Sequence, residues 1–117
     1  MRHFILFTLL FLCFTCFAQE KTVSFLFAGD AMQHTAQLDV AKTADGYDYS
    51  SYFKYVADEI KQADIAVVNL ETTLPGTRYT GYPSFGSPDE FALALKEAGF
   101  DIFLTATNHI LDRGKKA

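Results

Sequence analysis

The sequence predicts an α/β fold built on a mostly parallel sheet, and three observations predict it. Short strand-like runs alternate with amphipathic stretches in the order strand, helix, strand, helix, strand, which implies right-handed crossovers. The run from Ile65 to Val68 is apolar without alternation, as expected of a strand covered on both faces. Each run also ends in polar residues: Asp30 after the first, Asn69 and Glu71 after the second, Asn108 and His109 after the third.

The elements follow in order. Residues 22–28 are rich in β-branched and aromatic side chains and stop at Gly29-Asp30, which predicts the first strand. Residues 31–49 are polar and irregular. Residues 51–62 place Phe53, Val56, Ala57 and Ile60 at helical spacing, with charges on the other face. Residues 64–70 form the second strand, followed by a turn-rich loop over 72–86. Ser87 is expected to cap the next helix, with Pro88 at its first position and Glu90 completing a capping box. Phe91, Ala94, Leu95 and Ala98 line one face of that helix, and Gly99 suits its C-terminal cap. Residues 101–106 are the third strand, and Thr107-Asn108-His109 opens a further helix. No internal repeat, low-complexity tract or linker interrupts this order.

The first 18 residues stand apart. Arg2 and His3 precede an apolar run from Phe4 to Phe17, and Cys16-Phe17-Ala18 places small residues where a signal peptidase reads. This pattern predicts a secretory signal peptide over 1–18 and an exported chain, periplasmic or extracellular, from Gln19. The alternatives are a membrane anchor, for which the run is short, and a lipoprotein, for which Leu12 and Thr15 are poor neighbours of Cys13 and Cys16. Both cysteines fall inside the signal, so thiolate metal sites, cysteine nucleophiles and disulfides are excluded for residues 19–117. From Gln19 onward there are 14 acidic and 9 basic residues and no basic stripe, which argues against nucleic acid as a partner. With 117 residues ending in Gly114-Lys115-Lys116-Ala117, the sequence reads as the N-terminal portion of one domain.

In an open parallel sheet the ligand crevice lies beyond the carboxyl ends of the strands. Asp30, Asn69, Glu71, Asn108 and His109 would therefore converge on one edge. Singly, each has an ordinary structural role as turn, cap or loop residue; together they point to a site. Carboxylate, amide oxygen and imidazole suit Mn, Fe, Zn or Mg, and two such ions could clamp a phosphate. Asp112 could orient His109 through a hydrogen bond, or serve as a first-turn acid on the helix dipole. His34, four residues after Asp30 in the loop, either faces the site or, the favoured reading, lies at the surface. There is no Walker or Rossmann glycine loop and no Gly-x-Ser-x-Gly elbow.

Phe27-Ala28-Gly29-Asp30, the stretch Ala63-Asp64-Ile65-Ala66-Val67-Val68-Asn69-Leu70-Glu71, Leu95-Lys96-Glu97-Ala98-Gly99-Phe100-Asp101, and Thr107-Asn108-His109-Ile110-Leu111-Asp112-Arg113-Gly114 resemble the capsule-synthesis protein CapA family, also called the PGA_cap or poly-γ-glutamate biosynthesis domain. The resemblance implies a branch of the calcineurin-like metallophosphoesterases, so that this chain would supply the N-terminal βαβαβ part of a four-layer α/β/β/α fold. It implies metal ligation by Asp30, by Glu71 as the bridging ligand, by Asn108 and by Asn69, with His109 as proton donor and two divalent ions as cofactors. Where the superfamily carries a His two residues after the first Asp, this chain has Met32. The implied substrate is a cell-envelope polymer or phosphate ester, with association to membrane-bound polymer synthesis machinery. The implied activity is that of a phosphatase or phosphodiesterase when full length, this portion alone being inactive. The alternative is a non-catalytic component of polymer assembly or export.

Overall fold

The computed structural model describes residues 20–114. The expected signal segment, with Cys13 and Cys16, and residues 115–117 lie outside them. The described chain is α/β, as the alternation of patterns predicts. Strand β1 is Phe25–Ala31, helix α1 Thr35–Ala41, helix α2 Ala57–Ile60, strand β2 Ile65–Leu70, helix α3 Asp89–Ala98 and strand β3 Ile102–Leu104. The three strands form one parallel sheet in the order β1-β2-β3.

Alternation along each strand divides the sheet into two faces. Leu26, Ala31, Ala66, Val68, Leu70 and Phe103 face a layer made by Ala41, Tyr49, Phe53, Ile60, Phe91, Ala94, Leu95 and Ala98. Leu95 is 1% exposed and Val68 2%. On the other face Phe27 and Ile102 flank Val67 in register. Val67 is buried there, but Phe25, Phe27, Ile102 and Leu104 are exposed. Coverage on both faces therefore holds for β2 and not for its neighbours among the described residues.

Polar residues just before each strand fasten the register. The Asp64 carboxylate accepts hydrogen bonds from the Ser24 amide and hydroxyl, both at 2.7 Å, and the Asp64 amide donates back to Ser24 Oγ at 3.0 Å. Asp101 Oδ2 accepts from the Ala66 amide at 2.8 Å. The Ser24 contacts hold the Asp64 carboxyl below its ordinary range. Beyond Phe27↔Val67 the pairing resumes at Asp30↔Asn69, so β1 carries one extra residue over this interval, a β-bulge.

Several boundaries differ from the sequence expectation for identifiable reasons. The first strand starts later than expected and runs through Asp30, because Glu71 N–H bonds Ala31 O at 3.0 Å and extends the ladder. Helix α1 lies in the stretch expected to be irregular; Leu38 and Ala41, three residues apart, bury its one apolar stripe. The expected helix over 51–62 is a chain of turns that becomes α-helical only at Ala57, and Val56 is exposed. Ser87 does not cap α3: its buried hydroxyl lies 3.0 Å from Thr72 Oγ1, and Pro88 takes the cap position. Gly99 does end α3, at φ 118, where a Cβ would come within 2.7 Å of Lys61 Cγ. β3 stops at Leu104, and Asn108–Arg113 is a run of turns in place of the expected helix.

Leu95→Ala is expected to cost about 3 kcal/mol, since the side chain is enclosed on all sides. The measurement is the urea midpoint, which should fall while its slope is retained. Asp64→Asn should lower stability at neutral pH, and the difference from the parent chain should vanish as pH drops below the depressed carboxyl value.

Candidate functional site

The bulge sets the first part of the site. Without the extra residue, Asp30 would fall opposite Leu70 and face the helices; with it, Asp30 pairs with Asn69 on the other face. Asn69 Nδ2 then donates to Asp30 Oδ1 at 2.7 Å and to Glu71 Oε2 at 3.2 Å. Two carboxylates from two strands thus hold one amide nitrogen between them. Glu71 is 9% exposed. Burial pushes its carboxyl above the ordinary value, and the neighbouring Asp30 carboxyl pushes the same way through both contact and charge, with His109 opposing. A donor between two crowded carboxylates stands where a cation is favoured.

His109 joins from the turns after β3. Its Nε2 lies 3.9 Å from Glu71 Oε1, and its Nδ1 is 2.8 Å from Asp112 Oδ2. The Thr107 hydroxyl accepts from the His109 amide at 3.1 Å and fixes the turn that presents the ring. Partial burial works against ionisation of Asp112, but the Phe85 amide at 2.7 Å, His109 and the charge of Arg113 outweigh it and hold its carboxyl below the usual range. With Asp112 ionised, Nδ1–H is the donor and Nε2 faces Glu71. The hydrogen bond between His109 and Asp112, left open in the sequence beside a dipole role, is therefore formed.

The loop over 72–86 packs behind this pair. Phe85 is 2% exposed, with its ring edge-on to His109 at 4.7 Å between centroids and to His34 at 5.3 Å. Thr73 Oγ1 donates to Phe85 O at 2.9 Å, and Ser84 Oγ donates to Asp112 O at 3.0 Å. The Arg113 guanidinium donates to Arg78 O at 2.6 Å and also to Thr80 Oγ1, tying the far side of the loop. No local pattern in the sequence announces Phe85 or Arg113. Their partners lie 27 and 33–35 residues away.

Hydrogen bonds join Asp30, Asn69 and Glu71 in one group and His109 and Asp112 in another, and the two groups meet, with His109 Nε2 3.9 Å from Glu71 Oε1, at the carboxyl ends of β1, β2 and β3. Asn108 is exposed beside His109 and stands outside both groups. Among the described residues, no three His, Cys, Asp or Glu side chains converge closely enough to hold a metal ion unaided. The donor set is hard oxygen plus imidazole, which fits Mg, Mn, Fe or Zn, and Asp30 with Glu71 fits part of a coordination shell.

Glu71→Gln tests the crowding directly. The raised carboxyl means that the folded chain holds this proton more tightly than the unfolded chain. Its contribution to stability therefore falls as pH rises from the ordinary carboxyl range through the raised value. In chelator at neutral pH the Gln variant should melt above the parent chain, and the gap should close near pH 4.

Residues 24–117 match the family described as Bacterial capsule synthesis protein PGA_cap. Neither a curated protein nor a solved structure matches the chain.

Proposed function

The chain belongs to the bacterial capsule synthesis PGA_cap family, and from that premise we propose that it is an exported metal-dependent phosphoesterase acting on capsule or cell-envelope polymer. The observation that carries this reading is the meeting of Asp30, Asn69 and Glu71 with His109 and Asp112 at one end of the sheet.

Asp30 and Glu71 would hold a divalent ion. Asn69 would add its carboxamide oxygen only with the amide turned from the orientation that donates Nδ2 to both carboxylates, and Asn108, exposed beside His109, would have to swing in to join them. Such an ion supplies positive charge that polarises a phosphoryl oxygen and eases deprotonation of water. The protein's own residues do the rest. Asp112 accepts from His109 Nδ1 and fixes which nitrogen is free. As the imidazolium, with Nδ1–H kept on Asp112, His109 would give its Nε2 proton to the leaving oxygen. Phe85 closes one side of the imidazole to water. Export rests on the basic start and apolar run ahead of Gln19.

Full-length protein stripped with chelator and resupplied with Mn²⁺ should hydrolyse an aryl phosphate mono- or diester. His109→Ala should lower kcat by about a hundredfold or more, and Asp112→Asn should give a smaller loss in the same direction. Inertness of the parent protein with Mn, Fe, Zn and Mg across both ester types would overturn the reading. Mass spectrometry of the protein recovered from medium and cell envelope should find a chain beginning at Gln19. An intact Met1 start in the envelope would favour the membrane anchor, and recovery from the cytoplasm alone would remove the export claim.

A further inference from the structure

His34 lies four residues after Asp30, at the start of α1, and is exposed. Its imidazole forms no ion pair among the described residues. The ring is nevertheless placed, because it meets the Phe85 ring edge-on at 5.3 Å and an interplanar angle of 78°. The same phenyl ring meets His109 at 4.7 Å and 83°. The two imidazoles share one buried aromatic ring and are therefore no more than about 10 Å apart. Both sides of the arrangement are fixed. Phe85 is tied through its amide to Asp112 and through its carbonyl to Thr73. Gly81 lies so close to the His34 backbone that a Cβ there would come within 2.7 Å of His34 Cα and 2.8 Å of the Thr35 nitrogen. The loop over 72–86 thus clamps His34 from one side while it buttresses His109 on the other.

The charge pattern gives this placement a purpose. Asp30, Glu71 and Asp112 make the site acidic, so an oxyanion entering it needs donors from outside these groups. Arg113 turns its Nη2 away to Arg78 O and Thr80 Oγ1, and its Nε is buried without a partner, out of reach of an entering ligand. The exposed imidazole of His34, on the same phenyl ring as His109, is a donor left available. We propose that His34 is a substrate-binding residue that donates a hydrogen bond to a phosphoryl oxyanion of the ester, while His109 serves the leaving oxygen. This rests on the phosphoesterase reading above.

The test uses full-length protein and two variants, His34→Gln, which keeps a donor, and His34→Leu, which does not. The side chain is exposed, and α1 is closed by the His34 carbonyl as well as by a capping box that pairs the His34 side chain with the Gln37 amide and the His34 amide with Gln37 Oε1. Gln keeps the capping acceptor and Leu does not, so melting curves of both variants check that each is folded. With an aryl phosphate as substrate, His34→Leu should raise KM, and the inhibition constant for inorganic phosphate, by about tenfold with little change in kcat. His34→Gln should recover most of that loss. Unchanged KM and phosphate inhibition in His34→Leu, with His109→Ala inactive, would overturn the proposal and leave the phosphoesterase reading standing. Should the parent protein hydrolyse nothing, the imidazole proton resonances of His34 still decide the matter. A saturable shift on titration with inorganic phosphate, at constant pH and absent in a chloride control, supports oxyanion binding, and no shift sinks it.

Discussion

One extra residue in β1 between Phe27 and Asp30 governs which chemistry the sheet can present. Side chains alternate across a strand, so a single added position moves everything after it to the opposite face. Asp30 is thereby carried out of the helix-covered core and onto the side of Asn69 and Glu71. β2 needs no such correction, because Asn69 and Glu71 already share the face of Val67. Leu70 between them returns to the core, where it is 6% exposed. Core packing and the acidic pair are therefore set by the same alternation, read on opposite sides of one sheet.

The second constraint is imposed by a loop with little regular structure of its own. Thr80 and Gly86 exchange backbone hydrogen bonds at 2.9 Å each way, which gives the loop a closed neck. Thr72 and Ser87 join hydroxyls at its base. From that frame Phe85 reaches Asp112 through its amide and His109 through its ring. A histidine at the tip of a turn would otherwise sample several orientations; here backbone, carboxylate and aromatic contacts agree on one.

Much of the fold was legible in the sequence, and the parts that were not share a cause. Buried runs such as Ala66–Val68 and the stripe Phe91, Ala94, Leu95 and Ala98 announce themselves because their period matches the element that buries them. Gly99 is legible for its conformation. The cap of α3 is misread by one residue because Ser87 has a competing partner, Thr72, fifteen positions away. The bulge is invisible because it depends on how β1 aligns with β2. At the site, residue types at strand ends mark Asp30, Asn69, Glu71 and His109. The Asp112 contact follows from a three-residue spacing, but Phe85 and its bond to Asp112 come from tertiary closure alone.

That closure also carries an implication for the order of events during folding. Local turns and α3 need only near neighbours, and the β2–β3 pairing closes a crossover that contains the loop over 72–86 as well as α3. The Phe85–Asp112 contact spans 27 residues, fewer than the 35 between Ala66 and Asp101, but it joins a loop to a run of turns that take their positions from α3 and β3. The polar groups at the strand ends should thus be among the last features to consolidate. An early collapsed species would then bury Leu95 and Val68 while His109 still turned freely.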